Sequence, residues 1–132
     1  MTNLVAIMIG GSIGALCRHG LFVAVQRLAG PLFPLGTLVV NLLGCLLIGF
    51  LWGLTERSHI GEEIRLFVFT GFLGSFTTFS TFSREAVQLV KAGEWPTAGV
   101  YLSLSVLLGL ACTAAGFLLA KKCLAVLVGA AR

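Results

Sequence analysis

Residues 70–83, TGFLGSFTTFSTFS, bring hydroxyl side chains, phenylalanines and two glycines into one short segment. Hydroxyl groups can donate hydrogen bonds to anions, and the edge of a phenyl ring is electropositive. The segment falls within residues 66–83, which carry no charge, so we expect it to lie in a membrane. Non-helical backbone at membrane depth must be buried in protein or line a water-filled cavity. The pattern therefore predicts a broken helix beside an ion or substrate path.

The rest of the chain has the composition needed to hold this segment in a bilayer. Of its 132 residues, 58% are hydrophobic and only 11% are charged. Because a spanning helix needs about 20 mostly apolar residues, the charge-free runs predict an all-α membrane protein with one domain, 1–132, and four spans. These spans are expected at about 4–25, 35–54, 64–90 and 98–119. The first span lacks the basic N-terminal region of a cleaved signal peptide.

Glycines spaced four residues apart predict close contacts between helices. Gly10 and Gly14 share a face of the first span, and Gly49 and Gly53 share a face of the second. Small residues at this spacing let two helix backbones approach each other, either within one bundle or between two subunits. Four thin helices leave little room for a hydrophilic path, so we expect an oligomer.

Positive charge is distributed with a modest bias. If the spans alternate, Arg27 and Lys91 lie on one side of the membrane and the N-terminus lies on the other. The side of the N-terminus carries more basic residues, namely Arg57, Arg65, Lys121, Lys122 and Arg132. Basic loops favour the cytoplasmic side. The bias therefore favours a cytoplasmic N-terminus, and it leaves insertion in both orientations open.

The composition gives no support to an enzyme or a nucleic-acid-binding protein. The net charge of +4 is scattered and forms no basic–aromatic patch. The sequence has no glycine-rich phosphate loop, no HExxH motif and no nucleophile elbow. His59 lies in a polar loop, where we expect it to be solvated. The cysteines form no CxxC pair and are interpreted as small apolar residues; they are Cys17, Cys45, Cys112 and Cys123.

One amide and one guanidinium stand inside the first two predicted spans. Asn41 lies centrally in the second span, where its amide could donate to an anion in a pore or hold two helices together by a hydrogen bond. Arg18 lies about 13 Å along a helix from Arg27, at ~1.5 Å per residue. A guanidinium at that depth either extends to the interface or faces a water-filled vestibule. A basic vestibule would concentrate anions.

The third span has features that suit both anions and cations. Phe79 and Phe82 are three residues apart and share a helix face. We expect the glycines to free the backbone from the helix between Gly71 and Thr78, which would expose carbonyls that bind cations. A helix that restarts near Thr78 would present an N-terminus that attracts anions. Glu85, which follows Arg84, either pairs at a pore mouth or marks the membrane interface.

Three segments in the same order resemble the Fluc/CrcB fluoride channels, and the resemblance covers essentially the full length of the chain. The segments are 10–18, GGSIGALCR; 36–44, GTLVVNLLG; and 70–83, TGFLGSFTTFSTFS. The resemblance implies a fluoride-selective passive channel in the bacterial inner membrane. It also implies an antiparallel, dual-topology homodimer with two pores, and no other protein partner.

The resemblance also implies roles for individual residues. Arg18 corresponds to the vestibule arginine and Glu85 to the glutamate at the mouth. A central sodium ion would be bound by the backbone carbonyls of Gly74 and Thr77. The pore and fluoride residues would be Asn41, Thr78, Phe79, Ser80, Thr81, Phe82, Tyr101 and Ser105, the last two with no sharp motif in span 4.

The chain departs from the family pattern at two positions, and two other functional classes stay open. His19 stands where the family often has tyrosine, and Ser75 stands where it often has glycine.

A proton-coupled four-span exporter would need a membrane-embedded carboxylate, and spans 1, 2 and 4 contain none. A non-transporting scaffold subunit would leave the polar segment of span 3 without a purpose.

Overall fold

A computed structural model describes residues 2–30, 32–56 and 60–130 of the chain. Arg57, His59 and Arg132, which entered the predictions above, lie outside the described residues. The described residues are helical with no strand, and four helices are long and apolar enough to cross a membrane. These candidate spans are Thr2–Leu28, Leu35–Thr55, Glu62–Lys91 and Trp95–Leu127. The prediction of an all-α protein with four membrane helices is therefore confirmed.

Two long helices form the first half and one forms the end of the chain. Helix α1 covers Thr2–Ala29, α2 covers Leu35–Thr55 and α6 covers Trp95–Ala130. Helix α6 continues well past the expected end at residue 119. Lys121 and Lys122 mark the end of the apolar run, but lysine is a good helix former and does not end a helix.

The third span consists of several short elements. It begins with α3, Glu62–Arg65, continues as a π-helix, Leu66–Leu73, and ends its first part in α4, Gly74–Phe76. Two residues with extended backbone follow, and α5 covers Phe79–Lys91. The expectation that the chain leaves the helix at Gly71 is wrong. Gly71 lies within the π-helix and is buried against α1, where an added Cβ would lie 2.9 Å from the Ile7 carbonyl oxygen and 3.1 Å from the Cα of Gly10.

Glycines close the two main helix contacts of the bundle. A methyl group on Gly49 would collide with the carbonyl of Thr113, so α2 and α6 touch backbone to backbone there. A methyl group on Gly14 would collide in the same way with the Phe72 carbonyl, where α1 meets the π-helix. Gly10 and Gly53 also pack within the chain. These glycines therefore build the bundle itself rather than a contact between subunits.

The loop between α1 and α2 is tied down by one side chain. Gln26 Nε2 donates to the carbonyls of Gly30 and Phe33, at 2.6 and 3.0 Å, and Gln26 Oε1 accepts from the Gly36 amide at 2.9 Å. The last bond satisfies one of the free amides at the start of α2. This arrangement fixes the start of α2, the helix that carries Thr37 and Asn41.

Candidate functional site

The site is centred on the two extended residues between α4 and α5. Thr77 has φ −82° and ψ 155°, and Thr78 has φ −147° and ψ 114°. The Asn41 side chain of α2 forms hydrogen bonds with both the amide and the carbonyl of Thr78. Its Oδ1 accepts from the Thr78 amide at 2.8 Å, and its Nδ2 donates to the Thr78 carbonyl at 3.0 Å. An amide nitrogen carries two hydrogens, so Asn41 can hold the two helices together and still donate once more.

These side-chain bonds release two backbone carbonyls from the helix pattern. In a continuous α-helix the Thr78 amide would bond the Gly74 carbonyl, and the Thr81 amide would bond the Thr77 carbonyl. Here the Thr78 amide donates to Asn41, and the Thr81 amide donates to Thr78 Oγ1 at 3.3 Å, which caps α5. The carbonyls of Gly74 and Thr77 are thereby left without their usual helical donors. Carbonyl oxygens of this kind suit a small hard cation.

A groove of about 370 Å³ runs along one side of the interruption. Its wall includes Asn41 and Thr78 as well as Ser105 of α6. The Oγ of Ser105 is buried and has no hydrogen-bond partner. Buried polar atoms without partners are rare in native proteins, so Ser105 offers an unused donor to a polar guest in the groove.

Aromatic rings continue from the groove into the core. The Phe79 and Phe82 ring centroids are 5.6 Å apart, and those of Phe82 and Tyr101 are 5.2 Å apart. Phe82 is buried, whereas Phe79 is 79% exposed at the open side of the groove. The two rings therefore share one helix face, as their spacing predicts, but differ sharply in solvent exposure.

Glu85 is bonded inside the bundle. Thr37 Oγ1 donates to one carboxyl oxygen at 2.9 Å, and the Tyr101 hydroxyl donates to the other at 2.8 Å. Thr37 and Tyr101 are fully buried, at 1% and 0% exposure. The sequence reasoning missed Thr37. A signal was available, because Thr37 lies four residues before Asn41 and hence on the same face of α2.

A second cavity, of about 250 Å³, lies on the other side of the interruption. Arg18 and His19 of α1 line it together with Thr78 and Thr81. Thr78 thus forms part of the wall of both the groove and this second cavity, which we call the vestibule. A polar, capped backbone turn therefore stands between a basic vestibule and an aromatic groove.

Comparison with known proteins identifies the family of this chain. The family model described as "CrcB-like protein, Camphor Resistance (CrcB)" matches residues 5–117. The chain belongs to the CrcB family. The matched region contains every residue of the groove and the vestibule. The resemblance drawn from the three sequence segments is therefore confirmed.

Curated relatives are similar to this CrcB chain over most of its length. A protein of Desulfotalea psychrophila is 46% identical over 91% of this chain and 93% of its own. A protein of Nitrosococcus oceani is 47% identical over 90% of this chain and 96% of its own. A protein of Nitratidesulfovibrio vulgaris is 46% identical over 84% and 90%. Each is named "Fluoride-specific ion channel FluC", which is the name of a channel and not of an enzyme.

The structure of the CrcB chain places the predicted site residues in three groups. The groove is lined by Asn41, Gly74, Thr77, Thr78, Phe79, Phe82 and Ser105. The vestibule is lined by Arg18, Thr78 and Thr81, and the Ser80 hydroxyl lies 3.3 Å from Thr78 Oγ1. Tyr101 and Glu85 line neither cavity. The Tyr101 ring packs on Phe82 of the groove, and Glu85 is bonded to Thr37 of the vestibule wall.

Proposed function

We propose that this chain is a fluoride-selective passive channel of the bacterial inner membrane. The proposal rests chiefly on one observation, the wall of Asn41 and Thr78 that separates a basic vestibule from an aromatic groove. The names of the relatives support fluoride as the transported ion. Fluoride that enters a cell as its neutral acid dissociates inside. The channel would let the ion leave down its electrochemical gradient.

Selectivity would come from donors that replace the hydration shell of fluoride. Asn41 and Ser105 line the groove, where the second hydrogen of the Asn41 amide and the Ser105 hydroxyl without a partner would be the donors. The hydroxyls of Ser80 and Thr81 lie beside the Thr78 hydroxyl, and the edges of Phe79 and Phe82 add weak positive charge. Chloride is larger and accepts weaker hydrogen bonds, so a narrow path with these donors would disfavour it.

The open side of the groove supports a second copy of the chain as the missing wall. Phe79 is largely exposed there, and Gly74 is exposed beside it. We propose an antiparallel, dual-topology homodimer with two pores and a third span broken at membrane depth. The carbonyls of Gly74 and Thr77, freed from helical bonds, fit a structural sodium ion between the two copies. Such an ion would supply a charge that links the two breaks across the dimer.

The alternative of a proton-coupled exporter has less support from the geometry. Such an exporter needs a carboxylate in the membrane that exchanges protons freely. Glu85 is the carboxylate nearest the site, and hydroxyl groups hold both of its oxygens. Coupled proton uptake by vesicles that contain the protein would favour the exporter, and its absence would favour the channel.

The proposal is tested by Phe82→Ile in reconstituted vesicles. We expect this change to reduce fluoride efflux sharply while the dimer still assembles, because it removes the ring edge from the groove. Phe76→Ile is the matched control, since Phe76 is equally buried but stacks on Phe72 outside the groove. Unchanged efflux with Phe82→Ile, or an equal loss with both variants, would contradict the proposed path.

A further inference from the structure

We infer that Arg84 is a second anion-attracting residue of the vestibule and sets the rate at which anions enter. Arg84 lines the vestibule together with Arg18 and His19. The inference rests on the proposed function and extends it, because it assigns a further residue to the entry step of the same path. Its basis is the position of Arg84, the absence of an ion pair at Arg84 among the described residues and the two cavities that Arg84 lines.

The register of α5 directs Arg84 into the vestibule. Thr78, Thr81 and Arg84 are three residues apart in turn, so they follow one face of the helix. All three line the same cavity. Two hydroxyls therefore lead from the guanidinium to the wall shared with the groove, and Thr78 and Thr81 are bonded to each other at 3.0 Å.

Arg84 forms no ion pair with its neighbour in sequence, Glu85. Consecutive residues on a helix point in different directions. Glu85 accordingly faces Thr37 and Tyr101, whose hydroxyls occupy its oxygens. In the part of the chain that the structure describes, the ion pair that forms is between Lys121 and Glu56, and neither Arg18 nor Arg84 is in an ion pair.

Two guanidiniums without an ion-pair partner in the described part of the chain make the vestibule a site for a monovalent anion. Arg18 comes from α1 and Arg84 from α5, so two helices each contribute one guanidinium to the lining of the same cavity. Arg84 also lines a cavity of about 450 Å³, whose other polar lining residues are Gln26, Gln88 and Glu85. Phe22 and Arg84 line both cavities, so the guanidinium lies beside each of them, a position that suits an entry residue.

The test compares Arg84→Gln with Arg84→Lys and wild type in fluoride efflux from vesicles, at one pH and below saturating fluoride. Ionic strength is varied with an impermeant salt. Arg84→Gln is expected to slow efflux about three- to tenfold at low ionic strength, the effect of one unit charge several ångströms from the path. The difference should vanish near 1 M salt, where the screening length is about 3 Å. Arg84→Lys should behave as wild type, and the ratio of fluoride to chloride flux should not change.

Lys91→Gln is the matched control, because Lys91 carries the same charge at the end of α5 but lines none of the cavities that contain Arg84. Equal efflux of wild type and Arg84→Gln at low salt would overturn the inference. So would an equal loss with Lys91→Gln, or a loss that persists at high salt. If wild type itself releases no fluoride, the proposed channel function fails instead.

Discussion

The third span and the α2–α6 contact use small and polar residues in opposite ways. At the α2–α6 contact, glycine removes side-chain volume so that two regular helices meet backbone to backbone, as at Gly49 and Thr113. At Thr77 and Thr78 the helix stops although neither residue is a glycine or a proline, and side chains take over the backbone hydrogen bonds. Glycine therefore allows close helix packing in this bundle, whereas asparagine and threonine stabilise the interruption of a helix.

The largest effect is expected when Asn41 is changed, because its amide bonds the backbone at the helix interruption. Asn41→Asp keeps an oxygen for the Thr78 amide but places a second oxygen against the Thr78 carbonyl, where the wild type donates. We expect a loss of about 3 kcal/mol of stability, as for a buried charged group without its partner, and at least a tenfold fall in fluoride flux. Thermal unfolding in detergent and vesicle efflux measure the two effects.

The contrast with Asn41→Ala sharpens this prediction. Alanine removes both bonds without adding repulsion, so it should lose less stability than aspartate. Conduction by Asn41→Asp at the wild-type rate would contradict the role of the amide as a donor.

The next largest effect is expected at the contact between α2 and α6. Gly49→Ala places a methyl group on the Thr113 carbonyl and must push α2 away from α6. Overpacking of this kind costs about 1–3 kcal/mol, so the unfolding temperature should drop. Gly99→Ala is the control, since a Cβ on Gly99 meets no atom within 4 Å. If both variants unfold at the same temperature, the α2–α6 contact is looser than described.

Much of the fold could be predicted from charge and hydropathy, but the position of the helix interruption could not. Glycines in 70–83 suggested a break from Gly71, whereas Gly71 is a packing residue on α1. The actual interruption depends on Asn41, which lies 37 residues away in sequence. A hydrogen bond between a side chain and distant backbone leaves no periodic pattern. The bond from Thr37 to Glu85 was missed for the same reason, although the helix spacing of Thr37 and Asn41 offered a hint.

A smaller effect is expected at Thr37, which lines the vestibule and donates a hydrogen bond to Glu85. Thr37→Val leaves Glu85 with one hydroxyl donor instead of two. The loss of a single buried hydrogen bond costs about 1–2 kcal/mol, and we expect a fall in fluoride flux of a few-fold. Thr37→Ser keeps the donor and should retain both stability and flux. Identical behaviour of the valine and serine variants would rule out a role for this hydroxyl.

The smallest effect is expected at the cap of α5. Thr78→Val keeps the shape of the side chain but removes the oxygen that accepts from the Thr81 amide. Loss of a helix cap costs about 1 kcal/mol, which should appear as a slightly lower unfolding temperature, while Thr78→Ser should match wild type. A valine variant as stable as wild type would mean that Asn41 alone maintains the interruption.

The central claim is that the chain conducts fluoride selectively past Asn41 and Thr78, and ion release from liposomes tests it most directly. Purified protein is reconstituted into liposomes. After the potassium permeability of the liposome membrane is raised, a fluoride electrode and a chloride electrode follow the release of each ion. We predict fast release of fluoride and negligible release of chloride. Equal release of both ions, or no release from protein shown to be folded and dimeric, would contradict the account.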